Sequence, residues 1–213
     1  MTDSRDEPTP AEDQSIRFRH LERGDMPLLA DWFTRDHVAP WWQEPCDPAS
    51  LEARYGPTID GEDATEVFII ELDDTPIGLI QRYLVDDDPA CSRTLAAADA
   101  PTPAAGIDYL IGDPALTGRG LGALAIDRFL THTWRRYPTI AAVLVAVQQA
   151  NRRSWRALEK SGFHRFWAGT LASDDPSDHG PSYLYLRERP QPDAAPSQEQ
   201  DETTLSTDGH HQD

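Results

Sequence analysis

Lysine is almost missing from this 213-residue chain: Lys160 is the only one among 19 basic residues, set against 37 acidic ones. The formal net charge of -18 argues against general nucleic-acid binding, because phosphates must be met by Lys and Arg. Such a field gathers cations, so cationic small molecules or basic peptides are the expected partners. Cysteine is scarce too. Cys46 and Cys91 lie far apart and match no zinc or redox spacing, so free thiols in a reducing cytosol are expected and no metal site is. The longest apolar run, residues 140–147, is far too short to span a bilayer, and no signal peptide opens the chain. The expectation is a soluble cytoplasmic protein with no membrane partner.

The charge is concentrated at the ends. Residues 1–14 carry five acids and one Arg, and residues 190–213 carry six acids with no Lys or Arg. Both stretches are poor in large apolar residues and cannot offset their ordering entropy by burial, so both read as disordered acidic tails around a domain at 15–189.

Within that domain the patterning alternates. Ile16, Phe18 and His20 alternate with Arg17 and Arg19 as in a strand. Met26, Leu29, Trp32 and Phe33 recur at helical spacing behind Asp25 and Pro27, and a second helix is expected at about Pro48 to Tyr55. Residues 66–72 and 77–85 read as a hairpin, and 86–105 as a long loop. Strands are expected at 106–112, 139–147, 163–169 and 183–187. Helices fill 120–135 and 151–161, the latter closed by Gly162.

One stretch carries the chemistry. Between a strand and a helix stands Thr117-Gly118-Arg119-Gly120-Leu121-Gly122-Ala123, whose glycines bare backbone N–H groups at the positive end of a helix dipole. Arg119 adds a cation, and the bend suits a pyrophosphate. Its spacing fits neither the dinucleotide fingerprint nor the phosphate loop of nucleotide triphosphatases.

The string resembles the signature of the GNAT superfamily of N-acetyltransferases, Gln/Arg-x-x-Gly-x-Gly/Ala, with Thr117 at its first position. Asn151-Arg152-Arg153-Ser154-Trp155-Arg156-Ala157-Leu158-Glu159-Lys160-Ser161-Gly162-Phe163 resembles a second family segment, in the right order and at the right distance. Residues 28–42, which include His37, Trp41 and Trp42, resemble the start of the aminoglycoside 6'-N-acetyltransferases and the related siderophore N-acyltransferases within that family, and Gly106-Ile107-Asp108 resembles the aminoglycoside enzymes. The related siderophore N-acyltransferases would carry His where Asp108 stands.

The resemblance implies a single α/β domain: a mixed, mostly antiparallel central sheet flanked by helices. It also implies acetyl-CoA as cosubstrate, no metal, and an amine acceptor on a polycationic, aminoglycoside-like molecule, the chemistry of antibiotic resistance. Asp108 is the expected base, directly or through a water, with binding of the ammonium alone as the competing role. Leu110, Ile111, residues 117–123 and Asn151 are the expected acetyl-CoA contacts, the first two through backbone N–H groups that polarise the thioester. Asp36, Trp41 and Trp42 are expected at the acceptor. Leu158 stands where the family places a Tyr that protonates the leaving thiolate, which leaves Tyr183 and Tyr185 as substitutes. A siderophore-type acyltransferase and a non-catalytic CoA-binding module are the competing functions.

Overall fold

The computed structural model describes residues 15–87, 92, 96, 99–171 and 176–190. Both acidic tails (bar Pro190), residues 88–91, 93–95, 97 and 98 of the 86–105 stretch (Cys91 among them), Asp174 and Asp175 lie outside the described residues. Seven strands form one sheet: β1 (Ile16–His20), β2 (Glu66–Leu72), β3 (Thr75–Leu84), β4 (Ala104–Ile111), β5 (Ala142–Gln148), β6 (His164–Thr170) and β7 (Pro181–Glu188). Their order is β1-β2-β3-β4-β5-β7-β6, and every neighbouring pair is antiparallel except β4–β5.

Among the described residues the sheet is flanked by the helices α1 (Met26–Phe33), α2 (Ala39–Trp42), α3 (Pro48–Asp60), α4 (Leu121–Arg136) and α5 (Arg152–Lys160). The continuous apolar run of β2 follows from burial on both faces. Phe68 and Ile70 pack with Leu121, Ala125, Ile126 and Phe129 of α4. Val67 and Ile69 pack with Leu29, Trp32 and Phe33 of α1 and with Leu51 and Tyr55 of α3.

Two local expectations need correcting. The helix expected at about Pro48 to Tyr55 runs on through Gly56 and Pro57 to Asp60 and ends on Gly61 in the left-handed region. The spacing of Leu51, Tyr55 and Ile59 explains this, because one face stays in the core on both sides of the proline. The short α2 went unread in the sequence, and β4 begins at Ala104 because Ala104–Gly106 pair with Ala142–Leu144 of β5.

A buried arginine braces the α4 face. Arg82, 1% exposed, donates to Glu66 Oε2 (2.8 Å), meets His132 Nδ1 (3.2 Å) and lies over the Phe68, Phe129 and Tyr137 rings. Tyr137 also donates to Glu66. Burial alone would raise the Glu66 carboxyl, but these donors hold it at about 2. Burial, helped by Arg82, lowers His132. Both folded values lie below the unfolded ones, so both contributions are present at neutral pH and are lost on acidification. Melting temperature should therefore fall as pH drops below about 6.5, as His132 takes a proton, and again towards 2 through Glu66. Arg82→Met removes the buried partner of Glu66 but leaves it Tyr137 and Arg136 (3.6 Å), so the loss of one charged hydrogen bond should cost about 1.5–3 kcal/mol. Thermal melts across pH check both; an unchanged melt for Arg82→Met would refute the brace.

Candidate active site

Asp108 lies mid-way along β4, opposite Gln81 of β3, on the face covered by α1–α3. Gln81 Nε2 donates to Asp108 Oδ2 (2.9 Å) and fixes the carboxylate's orientation. The Gln81 Oε1 atom, on a side chain only 7% exposed, has no hydrogen-bond partner. An unpaired buried acceptor is costly, and a bound donor would satisfy it. The close approach of Tyr83 explains Gly106: a Cβ there would lie 2.4 Å from the Tyr83 ring.

Tyr55 of α3 links a second carboxylate to this place. Its hydroxyl is buried without a hydrogen bond of good geometry, and its acidity is lowered by burial first and then by the charges of Glu44 and Asp108. Glu44, two residues after α2, is itself largely covered and pairs with Arg54 (3.3 Å). Two acids, an amide oxygen and a phenol thus gather under α2 and α3. The arrangement is suited to a cation that carries hydrogen-bond donors.

The turn between α1 and α2 is tied to the end of β4. His37 Nε2 donates to the Ile111 carbonyl (2.9 Å), and Arg35 donates to the Gly112 carbonyl (2.9 Å). These bonds set α2 and its tryptophans beside the strand end. Trp42 stacks on Phe33 and belongs in part to the core, while Trp41 next to it is half-buried. Asp36 is exposed in the same turn. Gln43 donates to the Pro176 carbonyl and Gln148 to the Ser177 carbonyl, so the β6–β7 connection closes on the same region.

On the other side of β4 the sheet opens. β4 and β5 pair only from Ala104↔Ala142 to Gly106↔Leu144, although β4 runs on to Ile111 and β5 to Gln148. The Gly112 N–H donates to Ile77 of β3 (2.8 Å), which sets the phase of the ladder. By alternation, the backbone groups of residues 108 and 110 face β3, and those of 107, 109 and 111 face the opening. Of the two amides expected to polarise a carbonyl, Ile111 therefore faces the opening. Leu110 belongs to the β3 ladder, and the backbone groups of Tyr109 face the opening.

The mouth of this wedge meets the glycine bend. Gly118 and Gly120 adopt φ of 76° and 86°, a region open to glycine at no steric cost, and nothing stands within 4 Å of either built Cβ. Gly120 is the N-cap of α4, with no side chain capping the first N–H groups. Arg119 is exposed beside it, and Gly122 lies against Ile111, so the helix start adjoins the wedge.

A family model described as an acetyltransferase (GNAT) domain matches residues 22–170. The chain belongs to the GNAT acetyltransferase family. The aminoglycoside N(6')-acetyltransferase type 1 of Klebsiella pneumoniae is 26% identical over 188 residues, covering 82% of this chain and 84% of that protein. The structure of aminoglycoside acetyltransferase AAC(6')-Ib with coenzyme A and kanamycin superposes with a TM-score of 0.69 at 25% identity, covering 82% and 95% of the two chains. The structure of the same enzyme with parmomycin and acetyl-CoA gives 0.69 at 25%, covering 82% and 94%.

For a GNAT acetyltransferase the acyl donor must fit the chain, and the residues present suit it. The uncapped N–H groups of α4 and Arg119 match a pyrophosphate, and the unpaired edge of β4 matches an amide-bearing arm added like a strand. Several expected contacts are partly engaged within the protein. Thr117 gives its N–H and hydroxyl to the Pro114 carbonyl, Leu121 buries its side chain in the core, and the Ala123 carbonyl accepts from Ser161. Asn151 caps α5 through the Ser154 N–H (3.2 Å). Leu158 is fully buried. Tyr183 and Tyr185 lie on β7, across β5 from the wedge, and Tyr185 is bonded to Glu159. Gln81, Tyr55, Tyr109 and the tie from His37 were missed as site features in the sequence. A polar Gln inside the apolar run of β3 was the available signal for the first.

Proposed function

We propose that this chain transfers acetyl from acetyl-CoA to a primary amine of a polycationic small molecule, with aminoglycosides as the acceptor class. The observation that carries the reading is the placement of Asp108. It shares one face of β4 with Gln81, Tyr55 and the charge of Glu44, while the edge of the same strand opens to the wedge. The named relatives, two of them solved with CoA species and aminoglycosides, support the acceptor class.

Each residue then has a task. Asp108 and Glu44 attract the ammonium, and Gln81 Oε1 accepts one of its hydrogens. Asp108 takes the proton that makes the nitrogen a nucleophile. The Ile111 N–H stabilises negative charge as it grows on the carbonyl oxygen, as an oxyanion hole does. Arg119 and the start of α4 hold the pyrophosphate, and Trp41 gives an acceptor ring a surface to stack on. Asp36, exposed, extends the negative approach. Residues 15–189 form the catalytic unit in this reading.

The test is release of free thiol from acetyl-CoA by the purified chain in the presence of kanamycin. Thiol release above the amine-free control, together with acetylated kanamycin by mass spectrometry, is expected. Thiol release equal to that control across kanamycin and ribostamycin would overturn the acceptor class.

A further inference from the structure

Tyr109 follows Asp108 on β4 and therefore points to the opposite face, against the core under α4 and α5. Its hydroxyl donates to the Ser154 carbonyl (3.0 Å) and shares a second hydrogen bond with Ser154 Oγ (2.8 Å). Ser154 lies in the first turn of α5, half-buried, where its own N–H is held by Asn151. The backbone groups of Tyr109 face the open stretch between β4 and β5. A carboxylate and a phenol thus flank one strand edge from opposite sides, one residue apart. Burial above all raises the phenol well beyond its ordinary range, so the hydroxyl holds its proton at neutral pH.

Resting on the acetyl-transfer reading, the geometry points to Tyr109 as the acid that hands a proton to the departing sulfur, with Ser154 as its partner. An acceptor held on the Asp108 side approaches the thioester carbonyl from that face, so the sulfur leaves towards the face that Tyr109 occupies. The step balances. The amine nitrogen forms the N–C bond and gives its proton to Asp108. The C–S bond breaks with its electron pair on sulfur, and sulfur takes the phenolic proton. Solvent restores that proton through the Ser154 hydroxyl.

The rival role is a purely structural one, in which the hydroxyl only anchors α5. Tyr109→Phe keeps the ring and removes the hydroxyl, and two readings separate the roles. The first needs no acceptor: the thiol of bound coenzyme A is titrated by the ultraviolet absorbance of its thiolate. A phenol that donates to sulfur stabilises the thiolate, so Tyr109→Phe should raise the bound thiol's pKa by about one unit. The second is steady-state turnover, where kcat should fall by about 10²-fold with KM for acetyl-CoA within twofold. If Tyr109→Phe does not fold, a fluorinated tyrosine at 109 keeps shape and hydroxyl with a stronger acid, and the bound thiol's pKa should then fall below that of the wild type. Equal thiol titration in the wild type and the folded variant would overturn the proposal. A shifted thiol and lowered kcat with another amine, but no transfer to kanamycin or ribostamycin, would uphold it and overturn the acceptor class instead.

Discussion

Asp108→Asn lowers turnover by ~10²–10⁴-fold and leaves affinity for coenzyme A unchanged; this is the outcome expected if the carboxylate removes the ammonium proton. The substitution is close to isosteric, and the asparagine carbonyl can still accept from Gln81 Nε2, which now fixes Asp108 at 2.9 Å. What disappears is the basicity and one negative charge, with Glu44 still nearby to draw cations. The deficit should shrink as pH rises, because more of the free amine is then already neutral. If Asp108 served only to bind the cation, the change would raise KM for the amine and spare kcat. Measuring both constants across pH separates the roles, and a variant with neither constant altered would remove Asp108 from the site.

The sequence was most informative where one segment's own pattern decides its structure. The apolar stripe of 121–136 needs only helical spacing, and the bend at 117–122 needs only its glycines to announce an exposed helix start. The strand that carries Asp108 was legible before that bend, whereas Asp108 itself stood out only through the resemblance of Gly106-Ile107-Asp108 to the aminoglycoside enzymes. Pairings distant in sequence were not legible. Gln81 meets Asp108 only through the β3–β4 register, and Glu44 meets Tyr55 only after α2 and α3 have packed. The choice between the Leu110 and Ile111 amides depends on the phase of a ladder, and two adjacent apolar residues carry no sign of it. The Arg82 brace was hidden for the same reason: its partners come from β2 and α4.

Gly120→Glu should remove most coenzyme A binding while the fold survives. The residue caps α4 at φ 86°, so a non-glycine residue there carries roughly 1–2 kcal/mol of backbone strain. No atom lies within 4 Å of the built Cβ, so the new side chain meets open space and not the core. A carboxylate at a helix N-terminus also gains about 0.3–1 kcal/mol from the dipole, which offsets part of the strain. Ligand binding loses on two counts. The new carboxylate accepts the N–H groups that would hold a pyrophosphate, and it repels the phosphates at short range. Losing charge-assisted hydrogen bonds worth about 1.5–3 kcal/mol each predicts a Kd raised by roughly 10²–10³-fold. Gly120→Ala is the control, because it carries the same strain without charge and should weaken binding far less. Calorimetry on both folded variants provides the check: equal affinity for coenzyme A in Gly120→Glu and the wild type would place the pyrophosphate away from this bend.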